Sequence, residues 1–173
     1  MTSMPKAVLT DSLADAIGAA RGRVVEAALF TTFSLEPDFF EQEVLPALFD
    51  TAFSTAPKVK QVQLEEAIRK GVAISLYYDP SALSAAGEAP VLDVERVAMV
   101  RPRGCFHPKV VLVLVRDGDQ RSLVVMVGSH NLSRAGWWDN VEVSHVEELS
   151  EGSESSLRAP LLRTLPGSSP THP

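Results

Sequence analysis

Two short segments of the chain carry side chains that could act together on a phosphate. His107 and Lys109 lead into a continuously apolar run, and Ser129 and Asn131 follow a second apolar run. Imidazole can act as a nucleophile or a proton donor, and an ammonium group can neutralise phosphate oxygens. A hydroxyl and an amide add neutral hydrogen-bonding groups. Together these residue types predict a site that binds a phosphoryl group.

A β-hairpin is the element that would bring the two segments together. The apolar runs flank Asp117 and Gly118, and Asp-Gly between two such runs is a hairpin signal. A turn centred on Gly118 pairs residues whose numbers sum to about 236, which places His107 opposite Ser129 and Lys109 opposite Val127. A two-residue turn that ends at Gly118 would shift this pairing by one position.

The rest of the chain alternates between strand and helix patterns. Residues 24–33 and 72–78 are apolar and β-favouring, whereas residues 61–70 have a helical pattern that ends at Gly71. The apolar hairpin runs also indicate central strands that are covered on both faces. We therefore expect an α/β fold, with a mixed β-sheet flanked by helices on both faces.

The domain organisation follows from composition. Residues 1–148 have the mixture of apolar and polar positions of one globular domain. Residues 149–173 are rich in Ser, Gly, Pro and Glu, which predicts a flexible C-terminal tail.

The two motifs together resemble the signature of a known superfamily. His107-Pro108-Lys109 followed by Gly128-Ser129-His130-Asn131 resembles the HxK…GSxN half-site of the phospholipase D superfamily. Asn140-Val141-Glu142 is similar to the acidic element that follows this signature in the superfamily's nucleases. The resemblance implies a phospholipase D-like fold and phosphodiesterase chemistry.

The resemblance also implies a role for each residue. His107 would attack phosphorus and form a phosphohistidine, or act as the general acid in the opposite half-site. Lys109 and Asn131 would hold the nonbridging oxygens, and Ser129 would donate another hydrogen bond. Glu142 would orient His107 through its other ring nitrogen. No metal and no cofactor is implied, because Lys109 and the amide supply the charge stabilisation.

The chain departs from the superfamily pattern in two respects. Leu114 stands where many members have an Asp, five residues after the Lys. The superfamily needs two HxK elements and this chain has one, since none of His130, His145 and His172 is followed by a Lys two positions later. The site therefore requires either a homodimer or a second phospholipase D-like half.

Residues outside the motifs are candidates for substrate binding. Arg101 and Arg103, with Arg96 before them, could line a groove for a phosphate backbone, although a solvated strand edge is an equal alternative. Trp137, in the pair Trp137-Trp138, could stack on a base, whereas such pairs more often pack against their own sheet.

Bulk properties limit the class of protein. Hydrophobic residues make up 45% of the chain, charged residues make up 22%, and the net charge is −6. This balance is that of a globular protein and argues against a generally basic nucleic-acid-binding surface. Cys105 is the single cysteine and no apolar stretch is long enough for a membrane span, so we expect a cytoplasmic location without a transmembrane segment.

The function that best fits the sequence is that of a metal-independent nuclease. Nucleic acid, with DNA favoured, is the expected partner, because arginines approach the motif and no amphipathic membrane-surface segment is apparent. Two alternatives remain open. The chain could be a noncatalytic phosphate-binding or dimerisation module of a larger system, or a phospholipase acting on lipid phosphodiesters.

Overall fold

The computed structural model describes residues 9–18, 22–49, 52–84 and 92–164. In these ranges a six-stranded mixed sheet has the order β3-β2-β1-β4-β5-β6. The strands are β1 (Val24–Thr32), β2 (Ala73–Tyr78), β3 (Glu95–Ala98), β4 (Val110–Asp117), β5 (Gln120–Gly128) and β6 (Ser144–Ser150). The helices are α1 (Leu9–Ile17), α2 (Pro37–Phe39), α3 (Pro57–Arg69) and α4 (Arg158–Thr164). No helix in the described ranges is both long and apolar enough to cross a membrane.

The sheet combines parallel and antiparallel pairs, which confirms the expected α/β class. Strands β1, β2 and β3 run parallel, whereas β4 pairs antiparallel with both β1 and β5, and β5 with β6. Helix α3 lies in the connection from β1 to β2, as parallel neighbours require a crossover. The hairpin strands β4 and β5 are central and rich in β-branched residues, as their apolar sequences predict.

The two faces of the sheet are covered differently. On one face Phe30, Val113 and Met126 are fully buried in the main core, which also takes in buried residues of α1, α2 and α3. On the opposite face Leu112 and Val125 line a cavity of about 370 Å³ together with residues that include Leu161 of α4. Helical segments therefore contribute to both faces, and the larger part of the core lies on one side.

The helix that follows β1 changes its winding along its length. After α2 the chain continues as a π-helical turn, Phe40–Val44, and then as a 3₁₀ turn, Leu45–Leu48. Pro46 lacks a backbone N–H and cannot continue an α-helical ladder, which explains why the run tightens there. The apolar side chains of this segment are buried or partly buried: Phe39, Phe40, Val44, Leu45, Leu48 and Phe49.

The register of the hairpin differs by one residue from the expected one. Val110 lies opposite Val127 and Asp117 lies opposite Gln120, so paired numbers sum to 237. Gly118 has φ = 60° and occupies the first central position of the turn, as glycine does in type II′ hairpins. The backbone preference of this glycine decides the register, and Lys109 consequently faces Gly128, whose N–H donates to the Lys109 carbonyl at 3.2 Å.

Part of the segment that composition assigns to a tail has regular structure. Strand β6 extends to Ser150 and α4 follows, whereas residues 165–173 lie outside the described ranges. The domain boundary at residue 148 stays a prediction. Residues 141–143, which alternate like a strand, form an irregular segment just before β6.

Candidate active site

Backbone and side-chain hydrogen bonds join the end of β1 to the loop after β5. The Asn131 Oδ1 atom accepts a hydrogen bond from the Ser34 N–H at 3.1 Å. The buried Thr32 hydroxyl accepts from the Leu132 N–H at 3.0 Å and donates to the Ser34 carbonyl at 2.7 Å. These contacts hold the Asn131 side chain through its amide oxygen.

His107 and Lys109 form a close pair just before β4. The Lys109 Nζ atom lies 3.0 Å from Nδ1 and 3.1 Å from Nε2 of the His107 ring, and it donates to the His107 carbonyl at 3.1 Å. Lys109 is 8% exposed, whereas His107 is exposed. Burial lowers the pKa of Lys109, and the charges of Cys105 and Glu142 oppose this effect. Among the described residues no carboxylate lies within ion-pair distance of this ammonium group.

Phe33 completes the surroundings of His107. Its ring centroid lies 5.0 Å from that of the imidazole, tilted by 43°, and the Lys109 Nζ atom lies 6.0 Å from the same ring. The imidazole is therefore in contact with an aromatic ring and a cation. Sequence reasoning did not identify Phe33, since nothing marks the last aromatic residue of an apolar run as a site residue.

Asp79 anchors the segment that carries His107. Its buried carboxylate accepts from the Phe106 N–H at 2.6 Å and from the Ser81 hydroxyl and N–H at 2.6 and 2.9 Å. These hydrogen bonds, led by that of the Ser81 hydroxyl, lower the pKa of Asp79. The sequence marks Asp79 only as the end of a strand before Pro80, so its contact with a residue 27 positions later was not foreseen.

Ser129 is bonded to the segment that carries Glu142. The Ser129 hydroxyl donates to the Glu142 carboxylate and accepts from the Val143 N–H at 3.1 Å. The Asn140 side-chain amide donates to Glu142 at 3.4 Å. Within one chain the Glu142 carboxylate therefore bonds Ser129 and Asn140, and its expected orientation of the His107 ring stays a prediction. The Ser129 N–H also donates to the Val143 carbonyl at 3.0 Å, which holds the two segments side by side.

His130 is buried directly beside the site. It is 3% exposed and packs edge-on against Trp137, with ring centroids 5.5 Å apart. Neither ring nitrogen has a hydrogen-bond partner in the part of the chain that the structure describes. Burial lowers the pKa of His130. A Cβ atom at Gly128 would lie 2.4 Å from its Nδ1 atom, so glycine at that position makes room for the imidazole.

Trp137 requires a correction to the sequence interpretation. It is 2% exposed and belongs to the main core, so its ring cannot stack on a substrate in this structure. The π-helical turn Ala135–Asp139 directs Trp137 inwards and leaves Trp138 partly exposed.

The arginines before the motif lie in different surroundings. Arg96 bonds the buried Glu41 carboxylate and the Leu92 and Val94 carbonyls, which makes it part of the scaffold. The Arg101 guanidinium lies 5.7 Å from the centroid of Phe106 and lines the apolar cavity on the far face of the sheet. Arg103 is exposed. A contact of Arg101 or Arg103 with substrate stays a prediction.

Comparisons with known proteins show a likeness at the level of structure. No protein-family model and no curated protein matches the sequence. The structure is similar to the crystal structure of a phospholipase D family member, Nuc from Salmonella typhimurium. That similarity has a TM-score of 0.46 and 16% sequence identity, and it covers 84% of this chain and 78% of that chain.

Proposed function

We propose that the chain is a metal-independent phosphodiesterase that cleaves nucleic acid through a phosphohistidine on His107. The observation that carries the proposal is the Lys109 ammonium group, which is buried without a carboxylate partner among the described residues and touches the His107 ring. A buried cation is costly unless an anion is paired with it. A phosphate bound against His107 would supply that anion.

The reaction would need two imidazoles. One His107 attacks phosphorus, and a nitrogen–phosphorus bond forms while the bond to the leaving oxygen breaks. The leaving oxygen takes a proton from a second imidazole on the opposite side. Water then attacks phosphorus, the nitrogen–phosphorus bond breaks with His107 as the leaving group, and the water proton passes to that second imidazole, which restores both rings. Because a single imidazole cannot occupy both in-line positions, a second copy of the chain would provide the other His107.

The neighbouring groups would assist in distinct ways. An entering phosphate oxygen would draw the Lys109 ammonium away from the imidazole and leave a ring nitrogen free to attack. The Asn131 amide nitrogen would donate to a nonbridging oxygen, since its oxygen is already held by Ser34. Ser129 would exchange its bond to Glu142 for one to the phosphate.

Hydrolysis of bis(p-nitrophenyl) phosphate tests the chemistry without reference to any larger substrate. We expect turnover to persist in excess EDTA, because the proposed site supplies its own cation. His107→Ala should reduce the rate by about 10³-fold or more while the chain stays folded. His145→Ala, an exposed histidine on β6, is the matched control and should keep the parent rate. Complete loss of turnover in EDTA, with recovery in magnesium or manganese, would contradict the mechanism.

A further inference from the structure

We propose that Arg134, held over the indole ring of Trp138, forms a stacking subsite for an unpaired nucleobase next to the cleaved phosphate. The inference rests on the proposed function for its position beside the site. It specifies the substrate as single-stranded nucleic acid and adds a binding residue outside both motifs.

The guanidinium group of Arg134 packs against aromatic rings. Its Cζ atom lies 4.4 Å from the centroid of the Trp138 ring and 5.8 Å from that of Phe39. Trp138 is itself fixed edge-on against the buried Phe39, with ring centroids 5.2 Å apart and an interplanar angle of 82°. Arg134 as a whole is exposed. The guanidinium is thus packed on an aromatic ring in a residue that remains exposed as a whole.

The subsite lies next to the candidate active site. Arg134 follows Asn131 by three residues, so their Cα atoms are at most about 11 Å apart. The Arg134 N–H donates to the Glu36 carboxylate at 3.0 Å, two residues after the Ser34 N–H that holds Asn131. The same two loops that position Asn131 therefore position Arg134.

Arg134 differs in its charge pairing from the arginines of the scaffold. Those form ion pairs with carboxylates: Arg23 with Glu148, Arg96 with Glu41, and Arg116 and Arg121 with Glu26. Within the described ranges no carboxylate lies within ion-pair distance of the Arg134 guanidinium, and Glu36 bonds its backbone instead. In a chain with a net charge of −6, this leaves a cation beside the site that packs on aromatic rings and has no ion pair with a described carboxylate.

The shape and charge of the group select its ligand. Unpaired bases stack on arginine planes and aromatic rings, and the same guanidinium can bond an adjacent phosphate. Paired bases in a duplex do not offer a free face. A lipid phosphodiester would use the charge of Arg134 but not its planar surface. Single-stranded nucleic acid uses both.

Binding of fluorescently labelled oligonucleotides, measured by anisotropy, separates stacking from charge. The His107→Ala chain serves as the parent, so that cleavage does not interfere. The probes are a single strand, its abasic counterpart and the corresponding duplex. Arg134→Lys keeps the charge but loses the planar surface. We expect it to weaken binding of the normal strand by about fivefold or more and to bind the abasic strand as the parent does. Arg163→Lys, an exposed arginine on α4, should change neither affinity.

Each other outcome of this experiment overturns the subsite. These outcomes are equal binding of the normal strand by parent and Arg134→Lys, equal losses on both probes, no binding by the parent, or an Arg134 dependence seen only with duplex. The result is independent of the proposed chemistry. If the chain hydrolyses the small diester but Arg134→Lys binds the normal strand as the parent does, only the subsite proposal fails. If Arg134→Lys weakens binding of the normal strand but the chain hydrolyses no diester, only the enzymatic proposal fails.

Discussion

At the scale of single residues, the burial of the Lys109 ammonium has a measurable consequence. Replacement by methionine removes a buried charge that has no carboxylate partner among the described residues. We expect Lys109→Met to raise the free energy of unfolding by roughly 1 kcal/mol and to abolish phosphodiester hydrolysis. Urea unfolding and the small-diester assay measure the two effects. Lys70→Met, at an exposed lysine, should change neither. Strong destabilisation by Lys109→Met would indicate a structural role for the ammonium group.

The buried His130 imidazole predicts a specific pH dependence of stability. Burial is the main cause of its lowered pKa, the charge of Glu142 opposes the shift, and that of Lys109 adds to it. The unfolded chain therefore binds more protons once the pH falls below the ordinary histidine pKa of about 6.5, and stability declines until the folded-state pKa is passed.

We expect His130→Phe to remove this contribution. Above about pH 7 the difference in free energy of unfolding between His130→Phe and the parent should not change with pH. Below about pH 6.5 the variant should become more stable relative to the parent, by up to about 1.4 kcal/mol per pH unit as the pH falls. Urea unfolding across this pH range measures the difference, with His145→Gln as the exposed control. Parallel pH curves for parent and His130→Phe would show that His130 does not titrate in this way.

At this scale the sequence identified the polar residues but not all of their contacts. The two motifs and their spacing were sufficient to identify His107, Lys109 and Asn131 as candidate site residues. The sequence could not show that Glu142 bonds Ser129, because that bond depends on the path of an irregular loop. Asp79 and Phe33 reach the site through long-range contacts that leave no local pattern.

At the scale of elements, the π-helical turn after Asn131 is closely packed against the site. A Cβ atom at Gly136 would lie 2.5 Å from the carbonyl oxygen and 2.8 Å from the nitrogen of Asn131. Both are backbone atoms that cannot rotate away. The backbone of Gly136 is not in the left-handed region, so the contact alone would decide the effect of a side chain.

We therefore expect Gly136→Ala to displace Asn131. The free energy of unfolding should fall by about 1–3 kcal/mol, as for other overpacked sites, and hydrolysis of the small diester should fall with it. Thermal unfolding and the same assay measure the two effects. Ala135→Ser, at an exposed position in the same turn, is the control and should behave as the parent. Normal stability and activity in Gly136→Ala would mean that the turn moves freely relative to Asn131.

The strands and helices were predictable where a pattern of apolar residues, or a glycine or proline at an end, marks them. β1 and β2 were expected within one residue of their observed ends, and Gly71 ends its helix with φ = 106°. The hairpin register was missed by one residue because the apolar runs fit both registers equally well, and the preference of Gly118 for positive φ decides between them.

At the scale of the whole molecule, the proposed site requires two copies of the chain. If each active unit combines His107 from two chains, a mixture of wild-type and His107→Ala chains should lose activity faster than in proportion. After co-refolding of equal amounts, about a quarter of the wild-type activity should remain if the pairing is random. Activity that falls in proportion to the wild-type fraction, or a fully active monomer by light scattering, would contradict a shared site.

The most direct test of the central claim is to trap the covalent intermediate. The chain is mixed with a short single-stranded DNA in excess EDTA, quenched under alkaline conditions that preserve phosphohistidine, and analysed by intact mass and peptide fragmentation. The account predicts a phosphodiester-derived adduct on His107 and no adduct in His107→Ala. About one chain in two should carry the adduct, because each pair of chains offers one nucleophile at a time. Turnover with no adduct during the burst, or an adduct on Ser129 or Cys105 instead, would contradict it.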